Sequence, residues 1–380
     1  MKILIIPDKF KGSLTAEQVI DAITAGLKDS LPEVQPFSII ASDGGDGFLN
    51  AICQSNPSVQ QVHCATTDPL GRPIDAVFGW DAGSESAYIE MARASGMELL
   101  QPQERNPELT STLGTGTMII NAIERGAERI YVGLGGSATN DGGTGIAQAL
   151  GYRFLDHTNA TLPPTGGSLR KIHRIDRTQL HPKLDAVAFC AINDVRNPLL
   201  GAEGAAIMYS PQKGATAEQI PRLEQGLANL DRAVKRDLGI DAAEVPGSGA
   251  AGGTGFGLKA FANAQFISGT EFVLSQSEAQ ALLESGEIDF IWTGEGKIDD
   301  QTGFGKLVFG VAEIGKQYNV PVLAVCGRLD LQHTRISDLG LQDVLALSQQ
   351  GYSLEQCIDQ AGPLVRQLIA QWAGDVKQSR

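Results

Sequence analysis

Short polar residues set among glycines recur in this chain at the ends of apolar runs. Residues 133–145 read GLGGSATNDGGTG and place Ser137, Asn140 and Asp141 among bare backbone. Residues 42–47 read SDGGDG, residues 247–257 read GSGAAGGTGFG, and residues 293–306 read TGEGKIDDQTGFGK. Successive backbone amides without intervening side chains form concavities for anions, and a helix start behind them adds partial positive charge. One such cluster is most often a tight turn. Several, each carrying Asp, Lys, Ser or Thr, fit a polyphosphate ligand better. The chain holds 45 glycines among 380 residues, above the average usage of roughly 7%.

Three further stretches carry candidate chemistry. PDKFKGS sets Lys9 and Lys11 two apart at the end of the first apolar run, where open parallel sheets bind ligands. FCAINDVRNPLLG ends an apolar run in Asn193 and Asp194; a carboxylate there can act as a general base, although turn capping is the commoner task. GEGKIDDQ adds Glu295, Lys297, Asp299, Asp300 and Gln301. Magnesium takes one or two carboxylates together with phosphate oxygens and water, which suits scattered acids. Amides and lysines to spread charge, magnesium, and one carboxylate base together describe phosphoryl transfer.

Two competing motifs are weaker. The stretch at 133–145 opens as GxGxxA, but Asn140, Asp141, Gly142 and Gly143 would fall in the first turns of the helix a dinucleotide site needs, at up to ~1 kcal/mol per glycine. The helix is therefore expected at about Thr144. Asp156 lies near the ribose-binding spacing, which keeps a nicotinamide-dependent oxidoreductase as the alternative, beside a non-catalytic nucleotide or sugar-acid sensor. GVAEIGKQ at 310–317 is a false Walker A match, with Gln317 where Ser or Thr belongs and a helical apolar pattern around it.

The elements that would position these residues follow from periodicity. Residues 3–6 form an apolar run. Val19, Ile20, Ile23 and Leu27 then follow helical spacing behind a Thr15/Gln18 capping box, and a second run covers 37–41. Strand, helix, strand suggests a parallel α/β unit, and the same alternation returns near the end: IDFIWTGEG as a strand entering a glycine turn, KLVFGVAEIGKQYN helical, VPVLAVCG and DVLALS as strands, and a closing helix over SLEQCIDQAGPLVRQLIAQWAG. Between them, runs at 62–67, 76–79 and 86–89 suggest a meander, followed by a helix and a strand. The expectation is a mixed-sheet α/β domain over 61–280 inserted into a parallel-sheet domain formed by 1–60 and 281–380.

A net charge of −14 argues against nucleic acid or an anionic membrane surface as partner. No apolar run approaches the ~18 residues that span a bilayer. Five scattered cysteines without a CxxC spacing suggest free thiols in the cytoplasm.

PDKFKGSLTA, SDGGDG, TDPLGRP, IEMARASGMELL, STLGTGTMI, GLGGSATNDGGTGIAQALG, NDVRNPLLGAEGA, PQKGA, GSGAAGGTGFG and TGEGKIDDQTGFGK, in order over nearly the whole chain, resemble the bacterial type I glycerate kinases. The resemblance implies transfer of the γ-phosphoryl group of ATP, with Mg2+, to a hydroxyl of D-glycerate, leaning toward 2-phosphoglycerate. It also implies a flavodoxin-like domain with a restriction-endonuclease-like domain inserted into it. With that chemistry set against position, Asp194 is expected to be the general base on the glycerate hydroxyl, or its aligner if the transition state is loose. Lys11, with Lys9, is expected to neutralise the transferring phosphate or the glycerate carboxylate; some members carry a Ser-Tyr-Lys version of this loop, in which Lys11 is the residue kept. Ser13, Asp43, Gly44, Gly45 and Lys213 are expected at the acid substrate. Gly135, Gly136, Ser137, Asn140, Asp141, Gly294, Glu295, Gly296 and Lys297 are expected at the nucleotide, and Asp299 and Asp46 at the metal. The expected partners are small molecules, and the expected assembly is a monomer or small homo-oligomer.

Overall fold

The computed structural model describes residues 1–10, 12–40, 44, 45, 47–300, 302 and 307–378. The chain forms two compact units, Met1–Ala41 with Thr270–Arg380, and Ser42–Gly269. Composition suggested divisions near 60 and 280. The helix Phe48–Ser55 goes with the second unit because the Glu90 carboxylate accepts the amides of Gly47 and Leu49 at its start.

Among the described residues the first unit carries a five-stranded sheet of β1 (Lys2–Pro7), β2 (Gln35–Ser38), β11 (Phe290–Asp299), β12 (Val322–Asp330) and β13 (Asp343–Ala346). All its pairings are parallel, in the order β13-β12-β11-β1-β2. A parallel sheet covered on both faces needs continuous apolar strands rather than alternating ones, and Ile3, Leu4, Ile5 and Ile6 are all buried. Helices Ala16–Ser30 and Ala361–Gln378 place Val19, Ile23, Leu27, Val365 and Ile369 against Ile3, Ile5, Trp292 and Val325. Helix Leu307–Tyr318, which contains the false Walker A match, packs on β1, β11 and β12. The Thr15/Gln18 capping box is formed.

The second unit holds, among the described residues, a six-stranded mixed sheet of β3 (Gln60–Thr67), β4 (Pro73–Asp81), β5 (Ser86–Glu90), β6 (Arg129–Gly133), β9 (Ala188–Ile192) and β10 (Gln265–Ile267). The meander β3-β4-β5 is antiparallel, and β5, β6, β9 and β10 run parallel. β7 (Arg153–Leu155) and β8 (Arg174–Asp176) make a separate antiparallel pair. Ile89, Ile130, Val132 and Ala191 meet Met118, Ile119, Leu227 and Phe256 from the helices Leu113–Glu124, Gln219–Leu238 and Ala250–Ala262 in one core. No helix among the described residues is long and apolar enough to cross a membrane.

Three local expectations change. β11 does not enter a glycine turn at TGEGK; it continues to Asp299, pairing Glu295 with Cys326 and Lys297 with Arg328. The closing segment is two helices, Leu354–Asp359 and Ala361–Gln378; Pro363, which lacks an N–H, is tolerated in the first turn of the second and not in an interior. The glycine cluster at 247–257 enters the helix Ala250–Ala262 through a kink, with Ala251, Gly252 and Gly253 left-handed and helical backbone resuming at Thr254.

Candidate functional site

Open α/β sheets bind ligands beyond the carboxyl ends of their parallel strands. In the second unit those ends are level: Glu90 pairs with Gly133, Gly133 with Ile192, and Ile192 with Ile267. The chain leaving β6 is the glycine-rich loop 133–145, and the chain leaving β9 is Asn193-Asp194. A Cβ on Gly44 would collide with the Ile192 carbonyl, and one on Gly135 with the Cα of Gly45. The Gly135 amide donates to the Gly44 carbonyl at 2.9 Å. Glycine therefore meets glycine over the end of β9, an approach no side chain permits.

The amides of this loop are less bare than the sequence suggests. Those of Leu134, Ala138 and Gly142 donate to the carbonyls of Ile192, Ser95 and Gly252. The helix behind the loop, Thr144–Ala149, opens where expected, behind Gly143 with φ of 73°. Asp141 is fully buried; its Oδ2 accepts from the amide and hydroxyl of Thr112, each at 2.8 Å, and from the Gly145 amide at 3.2 Å. Its Oδ1 accepts from the Gly143 amide at 3.1 Å. Burial pushes the Asp141 pKa up, and these donors oppose the rise. Its carboxylate thus shapes the loop. Thr112, its principal partner, carried no local signal of that part.

Ser137 and Lys213 meet in the same unit. Lys213, at the end of the 3-10 turn Pro211–Lys213, is 3% exposed. Its Nζ donates to Ser137 Oγ at 2.9 Å and to the Thr139 carbonyl at 2.7 Å. Burial pushes this lysine down to about 7, with Asp141 acting in the other direction. Asn140 is fully buried, and among the described residues neither of its amide atoms has a hydrogen-bond partner. Gly136 has a φ of 70°.

At the end of β9, the Asn193 amide extends the ladder by donating to the Ile267 carbonyl at 3.2 Å. Asp194 is half-buried, and its Oδ1 accepts from the Gly269 amide at 3.0 Å. The backbone thereby fixes the carboxylate where the parallel strands end. Glu90, 5% exposed, holds the amides of Gly47 and Leu49 at 3.2 and 3.0 Å. Sequence reasoning missed it; an acid closing the apolar run SAYIE was the available signal.

The remaining predicted residues that the structure describes belong to the first unit. Lys9 is exposed, and its amide donates to Asp8 Oδ1 at 2.7 Å. The Ser13 hydroxyl donates to the Ile358 carbonyl at 2.6 Å. Gly294 and Gly296 are strand residues: a Cβ on Gly294 would meet the Val325 carbonyl, and Gly327 comes close to the Gly296 carbonyl. Glu295 is buried, with Oε1 accepting from Thr302 Oγ1 at 2.9 Å. Lys297 Nζ lies 3.1 Å from Asp299 Oδ2 and 3.2 Å from Asp330 Oδ2, and these carboxylates raise its pKa. Lys11, Asp43 and Asp46 lie outside the described residues. Among the described residues no three His, Cys, Asp or Glu side chains gather to hold a metal ion.

Glycine-rich loops crowded onto the carboxyl edge of parallel strands, with a carboxylate pinned among them, suit a ligand-binding α/β enzyme. A glycerate kinase of Halalkalibacterium halodurans is 40% identical over 365 residues, spanning 96% of this chain and 95% of the relative. A glycerate 2-kinase of Escherichia coli K12 is 40% identical over 329 residues, spanning 87% of this chain and 86% of the relative. The crystal structure of a candidate glycerate kinase 2 from Salmonella typhimurium LT2 superposes with a TM-score of 0.81 at 38% identity, covering 100% of this chain and 99% of the other. The protein is accordingly an enzyme of the kinase type. Residues 3–377 match the glycerate kinase family model, and the chain belongs to that family.

Proposed function

We propose that this enzyme transfers the γ-phosphoryl group of ATP to the 2-hydroxyl of D-glycerate, releasing ADP, with magnesium as the accompanying cation. The observation that carries this is Asp194, held by the Gly269 amide at the level ends of the parallel strands. In this reading the hydroxyl oxygen bonds to the γ-phosphorus, the bond from that phosphorus to the β,γ-bridging oxygen breaks, and the hydroxyl proton passes to Asp194. Ser137 faces the nucleotide, with Lys213 holding its hydroxyl from behind. Magnesium, when bound, would neutralise phosphate charge.

Membership of the glycerate kinase family and the relative named a glycerate 2-kinase support the substrate and the position of transfer. The order of the first unit's strands, which counted within that unit reads 2-1-3-4-5, supports a flavodoxin-like assignment. The mixed sheet of the second unit is compatible with a restriction-endonuclease-like one. A nicotinamide site has less support, because Asp156 closes its own turn by accepting from Thr158 and Ala160.

Phosphorus NMR of the enzyme with ATP, magnesium and D-glycerate tests the proposal. The expected result is ADP together with the phosphomonoester resonance of 2-phosphoglycerate. The 3-phosphate resonance would overturn the position of transfer, and no glycerate-dependent resonance would overturn the function.

A further inference from the structure

Asn193 stands at the same strand ends. Both of its amide atoms are buried, and among the described residues neither Oδ1 nor Nδ2 has a hydrogen-bond partner. Leaving a buried donor or acceptor unpaired carries a desolvation cost that nothing repays, so the position calls for a partner that comes and goes. Its backbone is fixed: the Asn193 amide continues the β9–β10 ladder to the Ile267 carbonyl, and the preceding Ile192 carbonyl accepts from Leu134 and abuts Gly44. Gly247, with φ of 93°, lies alongside; a Cβ there would be 3.3 Å from Oδ1 and 3.4 Å from Nδ2. The bare glycine leaves room beside the amide that a side chain would take. The next residue is Asp194.

We infer that Asn193 is a specificity-determining residue that reads the α-hydroxy-acid unit of the substrate. A carboxamide offers one donor edge and one acceptor in a fixed plane. An α-hydroxy carboxylate offers the complement on adjacent atoms: the hydroxyl oxygen and a carboxylate oxygen both accept from the two N–H of Nδ2, which leaves the hydroxyl proton for Asp194. Because both amide atoms are unpaired, the amide can turn to present its N–H edge to the acid. Such a contact places the substrate hydroxyl beside the Asp194 carboxylate. This inference rests on the glycerate-phosphorylating reading and adds to it the class of acid recognised and the residue that recognises it.

Steady-state kinetics of Asn193→Asp and Asn193→Ser test it. Asp is isosteric but cannot donate when ionised; Ser is smaller and neutral and carries the test if Asp prevents folding. The expected result is a glycerate KM raised about tenfold or more, with the ATP KM within about twofold. In the unaltered enzyme glycolate, which keeps the α-hydroxy acid, should compete with glycerate while acetate does not, and the variants should lose that distinction. A purely structural residue would lower the melting temperature and leave the glycerate KM and the glycolate preference in place, which would overturn the inference. Equal shifts in both KM values would overturn it too. Absence of glycerate-dependent ATP consumption in the unaltered enzyme would instead strike the functional reading itself.

Discussion

Lys213 Nζ donates to Ser137 Oγ at 2.9 Å, so a buried ammonium ties the turn Pro211–Lys213 to the glycine-rich loop 133–145. Its second bond, to the Thr139 carbonyl at 2.7 Å, fixes the same loop two residues on. Lysine is rarely buried this fully without a paired carboxylate in direct contact. Here the ammonium is satisfied by a hydroxyl and a carbonyl, and burial still pushes its pKa down to about 7.

That burial has a pH signature. Lys213 titrates from 10.5 in the unfolded chain to about 7 when folded. Below about 7 both states hold the proton, and the full penalty of burying a charge is present. Between about 7 and 10.5 the unfolded chain binds more protons, so this residue's contribution to stability rises with pH. Lys213→Met should flatten that rise, read as melting temperature against pH for the two proteins side by side. Parallel curves would show that Lys213 does not titrate in this window.

The Ser137–Lys213 contact should appear as coupling. Ser137→Ala and Lys213→Met should each destabilise, and the double variant should lose less than the sum, by about 0.5–3 kcal/mol. A double-mutant cycle from urea unfolding measures it. Strict additivity would mean that the hydrogen bond contributes nothing.

Asp194→Asn keeps the shape of the side chain and an acceptor for the Gly269 amide while removing the proposed base. Turnover should fall by roughly 10²- to 10⁴-fold, with the melting temperature nearly unchanged. A rate near that of the unaltered enzyme would remove Asp194 from the chemistry.

Gly135→Ala should be destabilising by about 3 kcal/mol, because its Cβ would collide with the Gly45 backbone, which no rotamer change relieves. Gly239→Ala is the comparison. It has a φ of 72° but open space around it, so its cost should be only the left-handed strain of about 1–2 kcal/mol. Similar losses at both positions, measured by urea unfolding, would contradict the close approach.

Much of this architecture is legible in local sequence. The apolar run at 3–6 marks a buried parallel strand because both faces must be covered. Thr15 and Gln18 mark a helix start because they satisfy each other's backbone amides. Asn140, Asp141, Gly142 and Gly143 postpone the next helix to Thr144 because two glycines and two helix-poor residues cannot open it earlier. Asp194 is visible as an acid closing an apolar run.

Only the folded chain decides what those residues touch. TGEGK looks like a turn because glycine is the commonest turn residue, yet pairing with β12, more than twenty residues away, holds it as strand. The glycines of 133–145 look like an open amide cradle, but the amides of Gly135 and Gly142 are taken by the carbonyls of Gly44 and Gly252, and those of Gly143 and Gly145 by the Asp141 carboxylate. Asp141 and Lys213 look like exposed charges until burial and distant partners make one shape the loop and the other anchor it. Composition and periodicity are local properties and determine the elements. Burial, unpaired amides such as that of Asn193, and the approach of one backbone to another depend on residues far apart in the chain.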